Sequence, residues 1–156
     1  MISPAIIGVV ASSGVVSGGG GGAAGVYTAS QSSVYGGTTA GSYASLTDLN
    51  GTTGAATNNT PSERIIATFP SPVLVTAVTV GGGQLPNWGS VAPYLNNRFL
   101  QYSTDGITWT DVLVFAGVTD SGVDQFKEFV LGTPIMAQRW CVGKSGWTAT
   151  TELRFR

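Results

Sequence analysis

From about Val26 onward, apolar and polar positions change places at strand period, and no stretch of useful length carries an amphipathic helical period with caps. Residues 64–69 and 73–80 are rich in β-branched side chains and partly alternating, which predicts two strands joined by a tight Phe69-Pro70-Ser71-Pro72 corner. Residues 98–103 lead into Thr104-Asp105-Gly106 and residues 107–110 run back out, the clearest hairpin signal in the chain. Within it, Asp105-Gly106 supplies the turn, Ser103 bonds the turn backbone, and Trp109 on the return strand is expected to cover the core. Further strands are expected at residues 112–115, 126–131, 139–142 and 151–155. Short strands spaced by about 8–12 residues, with Gly, Asn and Pro between them, define an all-β antiparallel sandwich or barrel in which helix is minor.

Ahead of this pattern, residues 1–25 are apolar and glycine-rich, with glycine throughout 18–22 and no charged residue before Asp48. A polyglycine run loses much backbone entropy on ordering. The segment therefore reads as an arm that docks on a neighbouring subunit through Ile2, Ile6, Ile7, Val9 and Val10. The alternative is an arm folded back on its own domain, residues 26–156. Its likeness to a secretion signal is superficial, because a basic leading region is missing and Pro4 and Gly8 interrupt the apolar stretch. It is also too short and broken to span a bilayer. Neither export by a signal peptide nor a membrane partner is expected.

Composition narrows the chemistry. At 156 residues the chain is of one-domain length and buries a core without cross-links. Seven Lys+Arg against eight Asp+Glu leave a net charge of −1, which makes no electrostatic case for nucleic acid. The absence of histidine removes the commonest general base and the Ser-His-Asp and Cys-His nucleophile systems. Cys141, alone in Arg139-Trp140-Cys141-Val142, reads as a buried structural thiol, and no intrachain disulfide can form. A glycosidase would need paired carboxylates across a cleft, and the spacing of the acids proposes no such pair. The expectation is a protein that is not an enzyme.

Four blocks of the chain, taken in order, resemble the discoidin or coagulation-factor C-type domain, a galactose-binding-like jelly-roll sandwich. They are residues 44–53 (Ala-Ser-Leu-Thr-Asp-Leu-Asn-Gly-Thr-Thr), the 64–80 strand pair with its Pro-Ser-Pro corner, the string Tyr102-Ser103-Thr104-Asp105-Gly106-Ile107-Thr108-Trp109, and the closing stretches 137–142 and 151–155. The third matches the family's Tyr-Ser-x-Asp-Gly-x-x-Trp without a gap. Together the blocks cover about residues 27–156.

The resemblance implies two candidate sites. In sugar-binding members an early Asp loop and a late Glu wrap one structural calcium, and the matching positions are Asp48, Asn50, Thr53 and Glu152. Hard oxygen donors of this kind suit calcium and no transition metal. The same residues also read as an Asx-type turn, with Glu152 paired to Arg154 or Arg139. The second acidic stretch, Asp120-Ser121-Gly122-Val123-Asp124, reads as a solvated turn.

The second site is a ligand face on the end loops. Residues 81–97 form a long loop, and long loops in compact domains are more often functional than decorative. Sugar recognition needs an aromatic platform together with planar amides or a guanidinium. Trp88, Tyr94, Asn96, Asn97 and Arg98 carry that chemistry, and Trp147 adds a second wall. Asn96-Asn97-Arg98 is similar to the Asn-x-Arg segment of galactose-binding relatives, with a shorter spacing and without the family's binding histidine. The competing reading folds Trp88 and Trp147 over the sandwich ends or places them in a subunit interface.

Two functional expectations arise. In one, the chain is a structural or adhesion subunit of a phage virion, in the capsid, tail or fibre, whose arm grips other virion proteins or further copies of itself and whose loops contact host-surface glycan. In the other, it is a free carbohydrate-binding module of the discoidin-like type.

Overall fold

The computed structural model describes residues 24–36 and 38–156. The expected arm anchors Ile2, Ile6, Ile7, Val9 and Val10 lie outside the described residues. Strand dominates the rest. In chain order come β1 (Thr28–Gln31), a single 3-10 turn at Ala44–Leu46, β2 (Ala55–Ala56), β3 (Pro61–Gly81), β4 (Gln84–Leu85), β5 (Gly89–Ser90) and a one-turn helix α1 (Ala92–Leu95). They are followed by β6 (Phe99–Ser103), β7 (Thr110–Val114), β8 (Phe126–Ser145), β9 (Ala149–Thr150) and β10 (Leu153–Phe155).

The expected corner at Phe69-Pro70-Ser71-Pro72 is instead a bulge inside one strand. β3 runs straight through it, and its register against β8 slips between Thr68 and Val73. Pro70 and Pro72 have no N–H to give the ladder, so pairing lapses there without reversing the chain. Gln138 Nε2 donates to the Phe69 carbonyl at 3.0 Å and to the Pro70 carbonyl at 3.3 Å, partly replacing the lost bonds. Likewise, the two strands expected at 126–131 and 139–142 belong to the single strand β8.

These two long strands shape the sandwich. Residues 64–68 of β3 pair with 139–143 of β8, flanked by β1 on one side and by β6 and β7 on the other. Residues 77–81 pair with 126–130 and are flanked by β10. Both strands thus pass from one leaf to the next through an irregular middle, as corner strands do. The result is the expected antiparallel jelly-roll β-sandwich.

Alternation places Ile65, Ala67 and Phe69 in the core while Arg64, Ile66 and Thr68 face the other way. Trp140 and Phe69 from the first leaf meet Phe155 of β10 at ring-centroid distances of 5.7 and 5.6 Å. Burial of side chains this large stabilises the fold by roughly 1.5–3 kcal/mol each. Tyr27, also buried, donates its hydroxyl to the Leu153 carbonyl at 2.5 Å, so its polar end is satisfied.

The turn at 104–109 departs from the expectation in one respect. Asp105 Oδ1 accepts from the Ile107 and Thr108 amides at 2.8 and 2.7 Å, and the Gly106 amide donates to Ser103 Oγ at 2.8 Å. The last β6–β7 pair is Tyr102 with Thr110, so Trp109 precedes the return strand and does not cover the core. It lies half-buried on the outer face, with the Arg64 guanidinium 5.4 Å from its ring centre. Among the described residues, no helix is long and apolar enough to cross a membrane.

Candidate functional site

The loop that follows β3 is folded around one acid. Asp120 Oδ1 accepts from the backbone amides of Gly83, Val91 and Ala92 at 3.2, 3.0 and 2.8 Å, and Oδ2 accepts from the Ser90 hydroxyl. Burial works to raise the Asp120 pKa, but the Ser90 hydroxyl and these amides outweigh it and hold the carboxyl below its ordinary value. Residues 120–124 are therefore not simply a solvated turn, because their first member anchors the β4–β5 hairpin and α1.

That anchoring collects aromatic rings at one end of the sandwich. The turn between β4 and β5 carries Trp88, α1 carries Tyr94, and the β8–β9 connection carries Trp147. Trp88 meets Tyr94 at 5.1 Å and Trp147 at 6.0 Å between ring centres, and Tyr94 meets Trp147 at 5.6 Å, all edge to face. Tyr35 completes the cluster, with its ring 4.6 Å from that of Trp88. Such pairs are each worth about 0.5–1.5 kcal/mol beyond the area they bury. Trp88 forms the floor, its indole N–H buried and without an acceptor among the described residues, whereas Trp147 is 37% exposed.

Polar groups converge beside the rings. Arg98, between α1 and β6, donates through Nε to the Trp147 carbonyl at 2.8 Å. Gly146 has φ of +65°, and a methyl group placed there would lie 3.2 Å from Asn59 Oδ1 and 3.7 Å from Arg98 Nη2, so both groups flank this glycine. Burial lowers the Arg98 pKa. No ion pair involves Arg98 among the described residues.

Of the expected ligand residues, Trp88, Tyr94, Arg98 and Trp147 are thus brought together. Asn96 is spent elsewhere, because its amide binds both the N–H and the carbonyl of Val118, at 3.0 and 2.9 Å. Asn97 is exposed, with φ of +66°, a left-handed conformation that Asn tolerates better than most residues. Tyr35 and Asn59 escaped the sequence reading. They belong to Ser/Thr/Asn/Gly-rich stretches far from the 81–98 loop, and no motif marks them.

The expected calcium residues also meet, at a separate place. Leu49 N–H donates to Glu152 Oε2 at 2.9 Å, which seats the 48–53 loop against the last turn of the chain. Asp48 accepts from the Asn50 amide at 3.0 Å and from the Thr53 hydroxyl at 2.7 Å, so the Asx-type turn is present. Glu152 is fully buried and stands 2.5 Å from Arg154 Nε, its partner in preference to Arg139. Burial pushes the Glu152 carboxyl up to about 7, against the opposing pull of Arg154 and the Leu49 amide. Among the described residues, no three His, Cys, Asp or Glu side chains gather as a metal cluster. A cation there would draw on the two carboxylates together with hydroxyl, amide and backbone oxygens, a donor set of the right kind for calcium.

No family model matches the chain, and no curated protein matches it. Solved structures do share its fold. The family 32 carbohydrate-binding module of AlyQ, in complex with 4,5-unsaturated mannuronic acid, aligns with a TM-score of 0.62 at 15% identity, over 87% of this chain and 98% of that one. The family 32 module of NanJ from Clostridium perfringens, in complex with galactose, aligns at 0.58 and 17% identity, over 83% and 92%. A coagulation-factor 5/8 type C domain from Bacteroides fragilis aligns at 0.59 and 18% identity, over 83% and 89%. The fold is therefore that of the galactose-binding-like, discoidin-type sandwiches.

Proposed function

We propose that this protein is a non-catalytic carbohydrate-binding module whose glycan site is the Tyr35–Trp88–Tyr94–Trp147 cluster with Arg98 and Asn59. The observation that carries the reading is the partly exposed Trp147 ring held by neighbouring rings beside a guanidinium and an amide. An apolar ring face packs on an aromatic platform, and its hydroxyls bond to the planar polar groups at the rim. Support comes also from structural neighbours that are sugar-binding modules, among them one in complex with GalNAc-β-1,3-galactose. The virion reading drew on the arm, and residues 1–23 lie outside the described chain, so the sandwich supports the binding reading by itself.

The proposal includes a structural calcium on Asp48, Asn50, Thr53 and Glu152. The ion would brace the 48–53 loop and would take no part in recognising the glycan. A glycan array probed with the full chain tests the main reading. Hits that disappear with Trp147→Ala are expected, and an array without hits would overturn it.

A further inference from the structure

Among the described residues, Arg98 is the one charged side chain seen to bond to the aromatic cluster, through the Trp147 carbonyl. Two acids stand in neighbouring segments, Glu63 at the start of β3 and Asp120 in the β7–β8 connection, and both are already occupied. Glu63 is only 2% exposed and accepts from the hydroxyls of Ser32, Ser33 and Thr60, while Asp120 is taken by backbone amides and Ser90. The cluster therefore presents a half-buried cation with no anion paired to it among the described residues.

A partly desolvated guanidinium without a counter-charge is costly, and an incoming anion returns that cost. Neutral sugar hydroxyls each donate as well as accept, so a site for them needs acceptors in number. Here Arg98 can only donate, and the side-chain acceptors of the cluster are Asn59 Oδ1, which flanks the same glycine as Arg98, and the hydroxyls of Tyr35 and Tyr94. A carboxylate asks for the opposite, donors alone, and matches the planar fork of arginine. The groove on the outer sheet face beside Trp109 also holds cations, but it makes no such demand. There Arg64 donates to Gln101, Gln101 donates to Asp111, and Lys144 pairs with Asp111.

From this we infer that the site selects a sugar bearing a carboxylate, a uronic or sialic acid, and that Arg98 is the residue that recognises the acid group. The inference rests on the glycan-binding reading of the same site. Calorimetry on the full chain tests it with an oligogalacturonide, the same oligosaccharide after reduction of its carboxyl groups, sialyllactose and lactose. At least one acidic sugar is expected to bind about tenfold or more tighter than its neutral counterpart, a gap of about 1.4 kcal/mol that narrows as salt is added. Arg98→Gln should close the gap, read as the ratio of the paired affinities and with the larger loss on the acidic sugar, and the comparison of paired sugars on the unaltered protein stands even if that variant misfolds. Equal or better binding of both neutral sugars would overturn the inference and leave the glycan reading intact. Absence of binding by all four would count against both.

Discussion

Arg98 Nε donates to the main-chain carbonyl of Trp147 at 2.8 Å, tying the end of the 84–98 loop to the connection between β8 and β9. Segments that are distant in sequence are thereby locked as two sides of one site. Because the contact uses a backbone acceptor, the ring of Trp147 can be changed without breaking it.

The two tryptophans of the cluster should therefore separate by phenotype. Trp147→Ala is expected to weaken glycan binding about tenfold or more with a smaller loss of stability than Trp88→Ala, since the side chain is partly exposed and meets two rings of the cluster. Trp88→Ala removes the ring that touches Tyr35, Tyr94 and Trp147 and should cost about 3 kcal/mol of stability. Denaturant unfolding beside calorimetry checks this. A strongly destabilised Trp147→Ala would mean that its ring serves the fold.

Asp120 makes the loop sensitive to acid. Its folded pKa lies below the unfolded value of about 3.9, so its stabilisation is complete above that value and drains away as pH falls through the lower, folded pKa. Asp120→Asn should lose about 2 kcal/mol near neutral pH and show a shallower decline than the parent between about pH 5 and pH 2. Parallel declines in the two proteins would remove Asp120 from the account.

Cys141 should be inert. It is fully buried, burial pushes its thiol up to about 12, and its Sγ lies 3.5 Å from Gln101 Oε1. Thiolate-directed reagents should label it only at the rate of unfolding. Fast labelling of the native protein would show that β6 opens away from β8.

The calcium proposal separates from glycan binding by a melting experiment. Added calcium should raise the melting temperature by the equivalent of about 2.7 kcal/mol at a hundredfold excess over its dissociation constant, and Asp48→Ala should abolish the rise. No rise in the parent would show that the Glu152–Arg154 pair and the Asx turn hold the loop unaided.

Local signals were legible and long-range ones were not. The Asp105-Gly106 turn, with Ser103 bonding its backbone, follows from residues that lie next to each other, and the aromatic residues of the 81–98 loop stood out by type. The face of Trp109 depends on a register slip between Leu100 and Gln101, which no local pattern encodes. The continuity of β3 through two prolines is imposed by β8, some seventy residues away. The role of Asp120 was hidden for the same reason, since its partners lie about thirty residues upstream. Tyr35 is a lone aromatic in a polar stretch, and only the folded chain brings it to Trp88.

The most direct test of the central claim is an amide and indole chemical-shift titration of the full chain with an array-positive glycan. The account predicts saturable shifts at the Trp147 and Trp88 indoles and around Tyr35, Asn59, Tyr94 and Arg98, with the Trp109 face of β6 and β7 unchanged. Shifts centred on Trp109, Arg64 and Lys144 with a silent Trp147 would contradict it.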